Sequence, residues 1–297
     1  MNDIPDQQNS ERSLTLMRAR QRIYANATAL QILQLATTVL APTILAIVAL
    51  NVPAWRAQLA ATSLLLLLID ILFLDRLQAR LLRQAAKVAE QFDCEVLQLA
   101  WNAFVAGAKL DWEDIQGAAA AYPKNEKALA AIRDWYPPVV GRAPLHVARI
   151  ICQLTNMRYD TKLRERWAAI LVALPFLAVV AGFAAWATMG LTLAAVVLSI
   201  FVPATPIVVW ALRETFRHRD AARAQKAIKG AAETLWPSIR ERRETECTNR
   251  AREFQDAIYQ RRALSPLVFP LVYHLLRDEM EEQMHKGAEE RLNEAGY

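Results

Sequence analysis

The sequence contains none of the short patterns that mark common catalytic sites: GxSxG, HExxH, the P-loop and GxGxxG are all missing. Its four histidines, His146, His218, His274 and His285, are scattered rather than paired at metal-ligand spacing. Asp111, Glu113 and Asp114 stand close together, but helix capping accounts for them more simply than acid–base chemistry does. These absences argue against an enzyme, and no cofactor or metal is expected. Cysteine is scarce as well. Cys94, Cys152 and Cys247 form no CxxC and are odd in number, so no disulfide framework is expected and a reducing compartment fits. The first residues, MNDIPDQQNSERS, are polar and show no basic-then-apolar leader, so no signal sequence is expected.

Charge is absent over long stretches. None occurs from Trp167 to Met189, which is long enough to cross a hydrocarbon core of roughly 30 Å. Three further apolar runs stand out: Ala27 to Leu50, Leu59 to Leu74 with its block Leu64–Leu68, and Leu191 to Leu212. The short link at Asn51–Arg56 pairs the first two runs, and Ala187–Gly190 pairs the last two. The reading is an all-α membrane protein with four transmembrane helices arranged as two hairpins. A helical cytosolic domain is formed by the central insert and the C-terminal region. The expected segments are an N-terminal cytosolic stretch over 1–26, hairpins over 27–74 and 167–212, an insert over 75–166 and a C-terminal region over 213–297. Heptad-like spacing of Leu77, Leu81, Leu82, Ala85, Val88 and Ala89 continues the second span as a helix beyond the membrane.

What charge there is lies on one side. Of 35 Lys and Arg residues, 4 precede the first span, 14 fall in 75–166 and 16 in 213–297, while Arg56 alone sits in a short loop. The positive-inside rule then puts both termini and both soluble portions in the cytoplasm. The charged segment Arg142–Arg166 runs into the Trp167 span without a turn residue near the junction, so whatever binds the segment can act on the span.

Arg142, Arg149 and Arg158 are interleaved with Trp135, Tyr136 and Tyr159, and Gln153 and Asn156 lie among apolar neighbours. Guanidinium forks match phosphate oxygens and aromatic faces stack on bases, so these eight residues are candidates for a small phosphorylated nucleotide. Arginines just inside a membrane also anchor helix ends and touch headgroups, which is the simpler account of Arg164 and Arg166. With 14 basic against 11 acidic residues in 75–166, a groove for a DNA or RNA polymer is disfavoured. Asp70, the one ionisable residue inside a span, is either a coupling carboxylate or an interfacial partner of an arginine such as Arg76. Ala178 and Gly182, with Ala181 and Ala185, put small residues on adjacent faces of the third span, for packing within one protomer or between copies. Asp70, Arg164, Arg166 and Gly182 are therefore candidates for membrane coupling.

Several strings occur together: Gln91–Asn102 (QFDCEVLQLAWN), the Trp135-Tyr136-Pro137 turn, Ala148–Gln153 (ARIICQ) with Asn156, Tyr159-Asp160, Leu163-Arg164, and Gln255–Arg262 (QDAIYQRR). In that order, with two hairpins flanking an insert, the chain over about residues 20–285 resembles the SMODS-associating four-transmembrane effector family. The resemblance implies an effector of CBASS anti-phage operons. Such a protein binds a cyclic di- or trinucleotide through its cytosolic part, self-associates on activation and damages the lipid bilayer, arresting or killing the cell. The basic residue that often follows the Cys-Gln pair in that family is Leu154 here. A constitutive membrane scaffold for a protein partner, or a channel gated by another signal, are the alternatives.

Overall fold

The computed structural model describes the chain apart from Arg240 and, over 270–278, the side chains; the side chain of His274 thus lies outside the described residues. Helices follow one another throughout, with no strand among the described residues. After α1 (Ile4–Gln8), α2 (Glu11–Leu35) passes through a widened π turn at Ala36–Leu40 into α3 (Ala41–Asn51). Pro42 would meet the carbonyl of Thr38 in a regular helix, and the widened turn lies over that carbonyl. Arg56 closes the link by donating from Nε to the Ala49 carbonyl at 2.9 Å. Then α4 (Arg56–Ile69) runs through a second π turn, Asp70–Leu74, into α5 (Asp75–Val96). Short helices α6 (Ala103–Ala106), α7 (Trp112–Ala120) and α8 (Glu126–Ala130) follow. Asn102 and Asn125 cap α6 and α8 with their side-chain oxygens. Asp111 holds the N-cap position of α7 without a side-chain bond, so the expected reciprocal cap is not formed.

The longest helix, α9 (Leu145–Met189), is unbroken despite Pro175. At about 1.5 Å per residue, roughly 20 residues cross a bilayer, so α9 has more than a second span's length to spare. Gly190, at φ +63°, ends it with a turn that side-chain-bearing residues resist. The chain continues through α10 (Leu193–Val196), a π turn at Val197–Phe201 with Pro203 just beyond, and α11 (Val202–Leu235). Finally come α12 (Glu244–Leu264) and α13 (Pro270–Glu294). Among the described residues, four continuous helical stretches are long and apolar enough to cross a membrane: Glu11–Asn51, Pro53–Val96, Leu145–Met189 and Leu193–Ser238.

The chain divides into two compact units. One comprises Ala27–Arg80 and Arg164–Asp220. Its large apolar side chains point outward, among them Leu64, Leu65, Phe73, Phe176 and Phe183, which a water-facing surface would not sustain over such an area. The other comprises Met1–Asn26, Leu81–Leu163 and Ala221–Tyr297, and it has a conventional buried core. There Phe92 stacks on Tyr136 with ring centroids 6.3 Å apart, among Leu97, Ile150, Ile151, Leu154, Met157 and Ile258. The polar N-terminus is part of this core rather than a loose lead-in. Ile4 is fully buried, Asn2 Nδ2 donates to the carbonyls of Val140 and Ala143, and Gln8 exchanges two hydrogen bonds with the Tyr136 backbone.

Candidate functional site

The unit with the buried core contains a cavity of about 260 Å³. One wall is the segment Ala130–Tyr136, a second is Thr155, Asn156 and Tyr159 of α9, and a third is Glu281, Met284 and His285 of α13. On each helix the spacings of three and four residues put these side chains on one face. The Trp135 wall is held from outside. Asn9 donates from Nδ2 to Asp134 Oδ1 at 2.8 Å and accepts the Asp134 N–H, fixing Asp134 at φ +48°. The Arg20 guanidinium lies 4.3 Å from the Trp135 ring centroid, a cation–π contact that sets the indole plane.

Four of the eight residues expected at a nucleotide site therefore meet here: Trp135, Tyr136, Asn156 and Tyr159. Tyr136 is nearly buried, and its hydroxyl donates to Asp93 Oδ1 at 2.6 Å. Burial, with the Asp93 carboxylate next to it, holds the phenol well above the usual tyrosine value. Arg158 faces a neighbouring hollow that Tyr159 also lines.

The other three are elsewhere. Arg149 is buried and its donors are spent on structure: Nε on the Leu97 carbonyl at 2.5 Å, Nη2 on the Gln98 carbonyl at 2.8 Å and Nη1 on Thr248 at 2.9 Å. It thereby pins the left-handed turn at Gln98, φ +50°. Gln153 is buried too, donating to the Ala251 carbonyl and Gln255 Oε1. Arg142 donates to the Tyr297 carbonyl at 3.0 Å. Arg149 and Gln153 are thus not among the residues lining this cavity, and their donors are engaged within the helical core.

Behind the cavity lies a buried polar network that the sequence did not announce as a unit. Gln255 Nε2 donates to both Glu90 Oε2 and Asp93 Oδ2 at 2.8 Å, placing one amide between two buried carboxylates. Arg252 binds Glu90 at 2.5 Å and Asp256 at 2.8 Å, and Arg262 binds Asp93. Asn102 donates to Asp256 at 2.8 Å. Charges this deep are tolerable only when paired and hydrogen-bonded, and here each carboxylate has at least two donors.

In the apolar unit, Asp70 accepts from Gln34 Nε2 at 2.8 Å. Its hydrogen-bond partner is thus a neighbouring helix's amide. Arg164 is buried 3.4 Å from His218 Nδ1, whose other ring nitrogen lies 3.6 Å from Glu214, so it is not merely an exposed anchor. Arg166, two residues on, is half-buried. Gly182 faces Phe201: an added Cβ would lie 2.4 Å from Phe201 Cζ. Its smallness is used for packing within the protomer.

Residues that sequence reasoning missed include Arg133, Thr155, Glu281, Met284 and His285 in the cavity, and Lys162, Lys229 and Arg291 in the hollow. A face-by-face reading of α13 would have found Glu281, Met284 and His285 together, but nothing in the sequence ties that face to Trp135.

Fold and cavity together define, among the described residues, an all-helical protein with four membrane-capable spans and a second unit whose core encloses a cavity lined by aromatic and polar side chains. The SMODS-associating 4TM effector domain matches residues 2–291, and the chain belongs to that family. It is 19% identical over 293 residues to a probable CBASS effector molecule of Bacillus cereus (strain VD146), covering 94% of each chain. No solved structure matches.

Proposed function

We propose that this protein is a CBASS effector that binds a cyclic oligonucleotide in the Trp135–Tyr159 cavity, self-associates and disrupts the inner membrane, with both termini cytoplasmic. The observation that carries the reading is the composition of that cavity. Trp135 and Tyr159 offer aromatic surface to a base, Asn156 offers a donor and an acceptor to its edge, and Arg133 offers a guanidinium to phosphate. Asn156 and Tyr159 stand on α9, the helix that also contains the uncharged run Trp167–Met189. Family membership and the resemblance to a probable CBASS effector support the same reading.

The energetics are adequate. Shifting a resting population from about 1:99 to 99:1 takes roughly 5.5 kcal/mol of differential binding. Charge-assisted hydrogen bonds to phosphate, each worth about 1.5–3 kcal/mol, supply that with a few contacts. Arg149 and Gln153 act from behind, holding the scaffold against which the cavity is built.

The test is the size and thermal stability of detergent-purified protein with a panel of cyclic di- and trinucleotides. One nucleotide should raise the melting temperature and produce larger assemblies, and should release dye from loaded vesicles. If no nucleotide changes any of these at saturation, the messenger reading is wrong and a constitutive scaffold is the better account.

A further inference from the structure

The hollow beside the aromatic cavity has a different chemistry. Arg158 and Lys162 reach it from α9, Lys229 from α11 and Arg291 from α13, and no carboxylate is among its described lining residues. Thr155, Tyr159 and Met284 line both hollow and cavity, so the two are neighbours separated by one layer of side chains. Glu233 holds two members of this cationic ring, Lys229 Nζ at 2.6 Å and Arg291 Nη2 at 3.2 Å.

We propose that this hollow seats a phosphate ester, and that Glu233 is the internal anion it displaces. A phosphate presents two non-bridging oxygens much as a carboxylate does, so it can take over Lys229 and Arg291 while Arg158 and Lys162 close on it from α9. The Glu233 carboxylate is 41% exposed, so losing its partners to an incoming anion returns it to water at small cost. The inference rests on the messenger reading in one respect: the phosphate belongs to the nucleotide whose base enters the adjoining cavity. Membrane lipids carry the same phosphodiester chemistry, and the test separates the two sources.

The experiment is calorimetric titration of full-length, detergent-purified protein with sodium pyrophosphate and with the cyclic nucleotide panel. It compares wild type, R158A and E233Q. Pyrophosphate should bind the wild type, about tenfold more weakly to R158A, and several-fold more tightly to E233Q, which lacks the competing anion. Opposite shifts in two variants exclude a general loss of folding. Absence of pyrophosphate binding in both wild type and E233Q, or binding indifferent to R158A and E233Q, overturns the phosphate seat. Pyrophosphate binding without binding of any cyclic nucleotide keeps the seat and overturns the messenger reading. A cyclic nucleotide that binds wild type, R158A and E233Q alike does the reverse. Displacement of pyrophosphate by phosphatidylglycerol vesicles, but by no cyclic nucleotide, overturns the nucleotide as the source of the phosphate.

Discussion

Tyr136 and Asp93 are joined by a buried 2.6 Å hydrogen bond that links the wall of the cavity to the polar network behind it. The same carboxylate accepts from Gln255 and Arg262, so the position of the Trp135–Tyr136 turn is tied to α5 and α12.

Removing that hydroxyl leaves Asp93 one donor short in the core. Tyr136→Phe keeps the stacking on Phe92 and should cost about 1–3 kcal/mol, read as a lower melting temperature at pH 7. A variant as stable as the wild type would show that the bond contributes nothing net.

The same pair predicts an alkaline weakness. The folded phenol sits well above the ordinary 10.0, so the folded state keeps a proton that the unfolded chain releases. Stability from this group is complete below pH 10 and is lost as pH rises from there toward the folded value. The gap in stability between wild type and Y136F should therefore narrow above about pH 10. Thermal unfolding at a series of alkaline pH values checks this, and a constant gap would refute it.

Two arginines on α9 should behave in opposite ways. Arg149→Ala leaves the buried Leu97 carbonyl and the partly buried Gln98 carbonyl without their donor, and should destabilise the fold by about 3 kcal/mol. Arg158→Ala, at an exposed position, should change stability by less than about 0.5 kcal/mol while reducing the nucleotide-induced thermal shift. Unfolding curves with and without nucleotide separate the two effects.

Gly182→Ala puts a methyl group into the ring of Phe201. Overpacking of this kind costs about 1–3 kcal/mol, and trimming the partner should recover it. The double variant with Phe201→Leu should unfold closer to the wild-type temperature than Gly182→Ala alone. No recovery would place the glycine's role elsewhere, such as at a contact between copies.

The four spans and their pairing into hairpins were legible from the chain itself. Hydrophobic length is a local property, and a bilayer leaves only helices as a solution for uncharged runs of this size. The continuation of the second span into α5 was legible for the same reason, since its apolar residues recur at helical spacing. The candidates Trp135, Tyr136, Asn156 and Tyr159 were legible as a group because they lie within 25 residues of one another in the sequence.

Their division of labour was decided only by the tertiary structure. Arg149 and Arg158 are both arginines on α9, and no rule of spacing says that one guanidinium turns into the core to hold a strained turn while the other faces a hollow. Which face of a helix is buried depends on what packs against it. The partners here, α12 and α13, lie about a hundred residues or more away in the chain. The same distance hid the joining of Glu90 and Asp93 to Gln255, Arg252 and Arg262, and of Lys229 and Arg291 to Arg158. The chain determined by itself which segments leave water, because that depends on local transfer free energy. Folding determined which charges meet, because that depends on long-range packing.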